Sequence, residues 1–425
     1  MASDKSGNHT PGEKPEDTGV PSRRFNTFSS LGAPAFRLYM VGMFGQMAAM
    51  NMQMLTRSLL VYRVTGSVTA IGIMAVAGMV PHIISSLYGG VIADRLEKKY
   101  ILMLALAAFA ALSFGIAISL TTGWLNAQTW WILIVASVVQ STLMGLLVPA
   151  RQSIIPALVG REKLMNAVSM NSLGGNAWRL IAPAAAGFMV EGFGFGSVYY
   201  IIGGLYVWAM VFSGLLPNTG KLPSTSESVL SEVREGFRYI RREADIMWVL
   251  IFNFFAVVLA NPYQQLLPVF VDDILGVGAG GLGILISVSG IGAIIGSLVL
   301  ASLPNRKRGR LLLASTLFLG LIIIAFSFSK SWGLSLGVMV FIGMGQVGRM
   351  TLTNTLAQHY SSDSFRGRVM GVLDMQMSFP GLAVFVAAWL TGIIGVEWAI
   401  SSFALVLVVV SLLITVFVPR LRRLD

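Results

Sequence analysis

The sequence lacks cysteine, has few histidines and carries little charge for its length. Cys is absent from the 425 residues, which excludes disulfides, thiolate metal sites and cysteine nucleophiles. The three histidines, His9, His82 and His359, are too scattered for a zinc site. Charged residues make up 12% of the chain, against roughly a quarter in an average soluble domain. Because 55% of the residues are hydrophobic, a soluble enzyme, a disordered chain and a fibrous protein are excluded.

Long apolar runs recur from Phe36 to the end of the chain, and the mean hydropathy is +0.75. Twelve of these runs reach the ~20 residues that cross the hydrocarbon core of a bilayer. Backbone groups in lipid must be hydrogen-bonded within their own segment, so each run is predicted to be a helix. The predicted spans are 36–62, 68–92, 100–121, 130–150, 165–190, 196–216, 246–270, 278–303, 310–329, 332–357, 368–392 and 397–418. The predicted fold class is an all-α integral membrane protein with twelve transmembrane helices.

Basic residues divide unevenly between alternate loops. The loops on one side carry only Arg63 and Lys330, whereas those on the other side carry 17 Lys and Arg residues. These 17 are Arg95, Lys98, Lys99, Arg151, Arg161, Lys163, Lys221, Arg234, Arg238, Arg241, Arg242, Arg306, Lys307, Arg308, Arg310, Arg366 and Arg368. Positively charged loops stay in the cytoplasm, so both termini are predicted to be cytoplasmic in a multi-pass protein of the cell (inner) membrane. The net charge of +11 therefore reflects topology rather than nucleic-acid binding.

The chain is predicted to comprise a polar, disordered tail, two six-helix bundles joined by a cytoplasmic linker, and a basic cytoplasmic end. These regions are 1–32, 33–216, 217–245, 246–419 and 420–425. Within the linker, Leu230, Val233, Phe237 and Ile240 recur at helical spacing, which indicates an amphipathic helix on the membrane surface. A solvated charged linker is the alternative.

A shift of 211 positions aligns the two halves of the sequence. Residues 71–74 then fall on residues 282–285, and residues 93–95 (ADR) fall on residues 304–306 (PNR). Two parallel halves of six helices place a pseudo-two-fold axis along the membrane normal, with a substrate site between them near mid-depth. The repeat therefore predicts a transporter-like arrangement.

The loop between the second and third spans carries a recognisable motif. Residues 90–99 read GVIADRLEKK and resemble the loop signature G-x-x-x-D-R-x-G-R-[RK] of the major facilitator superfamily, with Glu97 in place of the second glycine. The stretches PARQSIIPALV (149–159), RLIAP (179–183) and RGRVM (366–370) are similar to a subgroup of macrolide-efflux, tetracycline-efflux and enterobactin-exporter-like proteins. The resemblance covers residues 33–420 and implies the major facilitator fold.

The resemblance also implies that the loop motif gates the transporter. Asp94 can accept from the N-terminus of a helix in the other half, and Arg95 can pair with an acid through two hydrogen bonds. The alternative is a tight turn that only sets topology. The predicted gating residues are Gly90, Asp94, Arg95, Lys98, Asn305 and Arg306.

Polar side chains inside the spans are candidate substrate contacts, because charge at bilayer depth is costly and usually faces a cavity. In the first span, Gln46, Gln53 and Arg57 share one helical face. The alternative is that such residues only bond one helix to another. The predicted cavity residues are Gln46, Gln53, Arg57, Asn176, Arg179, Asn253, Gln264, Gln346 and Arg349.

Two titratable residues inside the spans are candidates for proton coupling. Asp374 is the only acid well within a span, and its depth matches that of Arg349, which predicts a direct or water-bridged ion pair. A static structural pair is the alternative. His82, which follows Pro81, is the second candidate, with a packing role as its alternative.

These features together predict a secondary active transporter that exports a small amphipathic compound (drug, macrolide-like or siderophore-like) by alternating access, in exchange for protons. One alternative is an importer or facilitator of an organic anion, because the spans contain three arginines but only one aspartate. Another is a non-transporting membrane receptor or scaffold. We expect a monomer whose partners are the substrate, membrane lipids and protons. No catalytic residue, nucleic acid, cofactor or metal is expected, and no GxxxxGK[ST] nucleotide loop occurs.

Overall fold

The computed structural model describes residues 29–218, 229–304, 306–362 and 365–425. Within these ranges, it does not describe the side chains of residues 87, 89–95, 161–162 and 229–233. The N-terminal half begins with a short 3-10 turn, Ser29–Gly32, followed by helices α1, α2 and α3. These three helices are Pro34–Thr65, Val68–Arg95 and Lys98–Thr121.

A helical stretch of 84 residues, Trp131–Gly214, completes the N-terminal half. It is interrupted at Gly160 (φ 70°) and Gly194 (φ 77°), where only glycine adopts the positive φ without strain. At 1.5 Å per residue the stretch would measure about 126 Å, enough for several bilayer crossings. The two breaks divide it into α4 (131–160), α5 (161–193) and α6 (195–214). Each connection is thus a single glycine rather than the longer loop that the sequence predicts.

The C-terminal half contains six further helices, α7 to α12. They are Ala244–Leu275, Gly278–Ser302, Arg308–Ser327, Trp332–Tyr360, Arg366–Ile394 and Val396–Phe417. α7 is bent at Asn261, just before Pro262, and α11 is interrupted at residues 377–379, just before Pro380. Both breaks follow from proline, which lacks the amide hydrogen that continues a helix.

The prediction of twelve membrane-spanning helices is confirmed. Ten helical stretches in the described ranges are long and apolar enough to cross a membrane, and one of them, Lys163–Gly214, has 52 residues and contains both α5 and α6. α1 is long enough but less apolar, because it carries polar residues such as Gln46, Gln53 and Arg57. The polar side chains of α1 therefore contact protein rather than lipid.

We call the two ends of the bundle the basic end and the opposite end. At the basic end, α9 begins with Arg308 and Arg420 follows α12. At the opposite end, α1 ends with Thr65 and α8 begins with Gly278. Arg420 donates to Asp245 at 2.5 Å, and this hydrogen bond raises the pKa of Arg420 above its ordinary value.

A helix of the linker, Val229–Arg242, packs against the C-terminal half at the basic end. Its Ile240 is 7% exposed and contacts the cluster that contains Val369 of α11. Glu235 accepts from Arg368 at 2.7 Å, and the ring of Tyr239 stacks on Phe365. The amphipathic helix predicted for the membrane surface is therefore present, but part of its apolar face is covered by protein instead of lipid.

The two halves meet along two helix pairs, α2 with α11 and α5 with α8, where glycines allow close approach. A Cβ atom at Gly283 of α8 would stand 2.5 Å from the carbonyl oxygen of Pro183 in α5. A Cβ atom at Gly381 of α11 would stand 2.7 Å from the carbonyl oxygen of Ala75 in α2. A larger residue at either position would force the halves apart.

Replacing Gly283 with leucine is therefore expected to open the opposite end. Overpacking costs about 1–3 kcal/mol, which shifts a two-state equilibrium by a factor of about 5 to 150. A cysteine placed at Gln264, which lies between the halves, should then react faster with a membrane-impermeant maleimide added from the opposite end. Gly204→Leu is the matched control, because nothing stands within 4 Å of a Cβ atom there. Equal reaction rates in the two variants would contradict this expectation.

Candidate functional site

A polar network in the N-terminal half surrounds Arg57 of α1. The Arg57 Nη1 donates to Gln140 Oε1 of α4 at 3.1 Å, and Gln140 Nε2 donates to Gln53 Oε1 at 2.6 Å. Tyr206 of α6 also donates to Gln53 Oε1, at 2.8 Å. Gln53 is 5% exposed and Tyr206 is fully buried. The guanidinium is thus held by a neutral amide, and no described acid pairs with it.

A second network occupies the C-terminal half around Arg349 of α10. The Arg349 Nη1 donates to Asn253 Oδ1 of α7 at 2.8 Å, and Asn253 Nδ2 donates to Gln376 Oε1 of α11 at 2.7 Å. Gln376 Nε2 then donates to the carbonyl oxygen of Leu250 at 3.0 Å. Arg349 is 9% exposed, and its buried Nε has no hydrogen-bond partner among the described residues.

The two networks have the same chemistry in the two halves. Each has one arginine bound to an amide, partly buried Arg57 or buried Arg349. Each network ties three helices together, through amides in the C-terminal half and through amides and the Tyr206 hydroxyl in the N-terminal half. A buried cation without an acid is costly, since desolvation of each ion amounts to several kcal/mol. The networks orient both guanidinium groups but leave their charge unneutralised. Both arginines therefore retain the capacity to bind an anionic or strongly accepting group.

The direct form of the ion pair predicted between Arg349 and Asp374 is not formed. Arg349 binds Asn253 instead, while Asp374 is exposed and makes no ion pair with a described residue. The interior position on α11 belongs to Gln376, whose hydrogen bonds run to α7. Two residues along a helix turn the side chain by about 200°, so Asp374 lies on a different face of α11 from Gln376.

His82 joins the two halves near mid-depth. Its Nδ1 lies 2.7 Å from Ser378 Oγ, so the bond runs from α2 to α11 where α11 is interrupted. Either atom can be the donor, depending on the tautomer of the imidazole. The structure thus places this proton-coupling candidate at an interface that must change when the halves move.

The remaining predicted cavity residues differ in their surroundings. Gln46 is 4% exposed and contacts the sulfur of Met50 in its own helix, whereas Asn176 and Arg179 of α5 are exposed. Gln346 donates to Tyr263 Oη at 2.9 Å, within the C-terminal half. Gln264 lines a small gap of about 10 Å³ between the two halves.

A latch of two contacts closes the opposite end, and sequence reasoning missed it. Arg63 at the end of α1 binds both oxygens of Asp272 in α7, at 3.1 and 3.2 Å. Beside it, Tyr62 donates to the carboxylate of Asp273 at 2.7 Å. We call these four residues the opposite-end latch. The only sequence signal was the acidic pair Asp272–Asp273 in a region that otherwise carries little charge.

The predicted gating residues lie at the basic end. Lys98 is 3% exposed and donates to the carbonyl oxygen of Ser153 at 3.3 Å, within the N-terminal half, and Arg306 is exposed. Gly90, Asp94 and Arg95 belong to α2, but their side chains lie outside the described part of the structure, as does Asn305. Gating by this motif therefore stays a prediction.

Hydrogen bonds and ion pairs that join described residues of the two halves lie at mid-depth and at the opposite end. They are made by His82 at mid-depth and by the opposite-end latch. Between described side chains, no hydrogen bond or ion pair joins α1–α6 to α7–α12 at the basic end. The conformation is therefore closed at the opposite end.

Comparisons with known proteins agree with this architecture. The enterobactin exporter EntS of Escherichia coli O1:K1 / APEC is 25% identical over 354 residues, which cover 81% of this chain and 82% of that protein. EntS of Shigella boydii serotype 18 matches equally well, at 25% over 354 residues. The nucleoside transporter NupG superimposes with a TM-score of 0.72 at 13% identity, covering 89% of this chain and 99% of that one.

The human organic anion transporter MFSD10 (TETRAN) superimposes with a TM-score of 0.65 at 13% identity, covering 89% of this chain and 98% of that one. At such identities the two structural likenesses speak for the fold alone. The family model of the Major Facilitator Superfamily matches residues 39–384 and 267–425, which include both six-helix halves. The chain therefore belongs to the Major Facilitator Superfamily and is a multi-pass membrane transporter rather than an enzyme.

Proposed function

We propose that this transporter exports a small amphipathic compound, drug-like, macrolide-like or siderophore-like, by alternating access and in exchange for protons. The observation that carries the proposal is the pair of arginines inside the spans, partly buried Arg57 and buried Arg349, one in each half and neither paired with a described acid. A compound with acidic or strongly accepting oxygens would satisfy both when it binds between the halves. The relatives named as enterobactin exporters support export as the direction.

The proposed cycle uses two gates. The opposite-end latch holds one side closed while substrate enters from the basic end. Release of the latch then accompanies closure of the basic end, for which we propose the motif residues Gly90, Asp94, Arg95 and Lys98 together with residues 305–306. Such rocking of one six-helix half against the other needs no deformation of either half.

We place the protein in the cell (inner) membrane as a monomer, with lipids around it and both termini in the cytoplasm. The support is the charge at the basic end, where Arg306 and Lys307 precede α9 and Arg308 and Arg310 lie in its first turn. Basic loops of this length set the orientation of membrane proteins. The opposite-end latch would then face away from the cytoplasm.

The proposal is tested in everted membrane vesicles with an imposed pH gradient. A panel of dyes, macrolides, tetracyclines and siderophores is offered, and vesicles without the protein are the control. Gradient-driven accumulation of at least one amphipathic compound is the expected result. Equal accumulation with and without the pH gradient would contradict proton exchange. No accumulation of any panel member would contradict export.

A second candidate function is import or facilitated passage of an organic anion. It is favoured by the charges inside the predicted spans, where three arginines outnumber the single acid, Asp374. These arginines are Arg57, Arg179 and Arg349. Cells that lack the protein discriminate between the two functions. They should retain more of a labelled substrate if the protein exports it, and take up less if the protein imports it.

Replacing Asp374 with asparagine is expected to uncouple transport from the proton gradient. Asp374 is exposed and is the acid that the sequence places well within a span, which makes it the candidate to bind and release a proton during the cycle. In the everted vesicles, the gradient-driven part of accumulation should fall at least about tenfold, whereas exchange without a gradient should persist. Glu243→Gln at the basic end is the matched control. Unchanged drive in Asp374→Asn would assign the carboxylate a structural role.

A further inference from the structure

A cavity of about 510 Å³ opens at the basic end of the C-terminal half, outside the two arginine networks. Arg308 at the start of α9 and Arg366 at the start of α11 line it from two sides. The last three turns of α10 supply Thr351, Asn354 and Gln358, whose hydroxyl and amide groups can donate hydrogen bonds. A volume of this size is typical of a small-molecule site.

The described lining of this cavity carries the positive charge of Arg308 and Arg366, and no Asp or Glu of the described ranges contributes to it. The nearby acid Asp425 accepts from the backbone N–H of Lys307 at 2.5 Å, at the start of α9. That carboxylate lies at the N-terminus of α9 and does not line the cavity. The Arg308 guanidinium, with the neutral hydrogen-bond donors of α10 beside it, is suited to bind an oxyanion.

A second, largely apolar cavity adjoins the first. It measures about 260 Å³ and shares Arg308, Thr351 and Thr355 with its neighbour. Its other walls come from the end of α8, the start of α9 and the inner face of α10, including Leu300, Leu311 and Leu352. The two cavities together form a cationic, hydrogen-bonding part and an apolar part, with Arg308 at their junction.

We infer that this pair of cavities binds an amphipathic anion, with its oxygen-rich head on Arg308 and the donors of α10 and its apolar part against Leu300, Leu311 and Leu352. Two sources can supply that chemistry. One is the transported compound on its way to Arg349, which lies on the same helix five residues, or about 8 Å, from Asn354. The other is an anionic phospholipid of the adjacent leaflet. Only the first source rests on the proposed function.

The test uses dodecyl phosphate with a photoreactive diazirine on its chain, and the full-length protein in phosphatidylcholine nanodiscs. Cross-linked peptides are expected within residues 297–311 and 351–366. Arg308→Gln should lower labelling about tenfold, because a charged contact is worth about 1.4 kcal/mol or more. Arg310→Gln is the matched control, since Arg310 is exposed two residues away and lines neither cavity.

A probe with an uncharged maltoside head keeps the test independent of any folding defect in the variants. In the wild-type protein it should label these peptides about tenfold less than the phosphate probe. Equal labelling by both probes, equal loss in Arg308→Gln and Arg310→Gln, or cross-links outside the two ranges would overturn the inference.

Two competition arms identify the source. If phosphatidylglycerol in the nanodiscs blocks labelling and is retained by the wild-type protein but not by Arg308→Gln in native mass spectrometry, the ligand is a phospholipid. If an exported compound from the vesicle assay blocks labelling and phosphatidylglycerol does not, the ligand is the substrate. Competition by neither would overturn the inference. If the wild-type protein exports no compound in the vesicle assay but is still labelled by the phosphate probe, only the proposed function is contradicted.

Discussion

Cross-linking the opposite-end latch is expected to stop transport. Cysteines at Arg63 and Asp272 would be the only thiols in a chain that has none, so a short bifunctional thiol reagent can bridge only this pair. The bridge would hold α1 and α7 together where they must separate to release substrate. Because a locked two-state protein cannot exchange its conformations, the vesicle transport rate should fall more than about tenfold. A reagent that is cleaved by reductant should restore it.

The matched control is a cross-link within one half. Arg420 and Asp245 also form an ion pair, but both belong to the C-terminal half at the basic end. A cysteine pair there should cross-link under the same conditions and leave the transport rate within about twofold of the uncross-linked protein, because that half moves as a unit. Equal inhibition by the two cross-links, or full transport with the latch bridged, would contradict alternating access through this latch.

The second large effect is expected at Arg349. Its replacement by glutamine removes the charge that the C-terminal network orients toward the substrate path. Removing one partner of a buried charged contact costs about 2–5 kcal/mol, so the Kd for an exported compound should rise by a factor of about 30 or more. Isothermal titration of the purified protein measures this directly.

Two further variants separate binding from folding. Arg349→Lys keeps the charge and should recover part of the affinity, although lysine lacks the planar fork of arginine. Arg57→Gln alters the equivalent network of the other half and should weaken binding to a similar extent. Wild-type affinity in Arg349→Gln, with an unchanged melting temperature, would mean that the arginine only holds α7, α10 and α11 together.

The sequence predicts the helices well, because backbone groups inside a bilayer must be hydrogen-bonded within their own segment. Runs of apolar residues of spanning length recur through the chain, and the repeat at 211 positions indicates the two halves. The boundaries are less predictable. Basic residues and Pro156 between residues 151 and 164 indicate a loop, whereas the backbone needs only Gly160 to reverse direction.

The partners of the polar residues could not be predicted, because depth in the membrane does not fix the rotation of a helix. Asp374 and Arg349 match in depth, yet Gln376 occupies the interior face of α11 and takes part in the Arg349 network. In the same way, Arg63 appears in the sequence as a stray loop charge. Its partner Asp272 is 209 residues away, and only the packing of the two halves brings them together.

The most direct measurement is a pair of distances between the halves, taken by double electron–electron resonance on the transporting protein. Spin labels at Tyr100 and Arg310 report on the basic end, and labels at Trp124 and Lys330 report on the opposite end. Rocking of two rigid halves predicts a reciprocal change when substrate and a pH gradient are supplied: the basic-end distance shortens in the molecules whose opposite-end distance lengthens. Distances that stay fixed, or that change in the same sense at both ends while transport proceeds, would contradict the two-half mechanism.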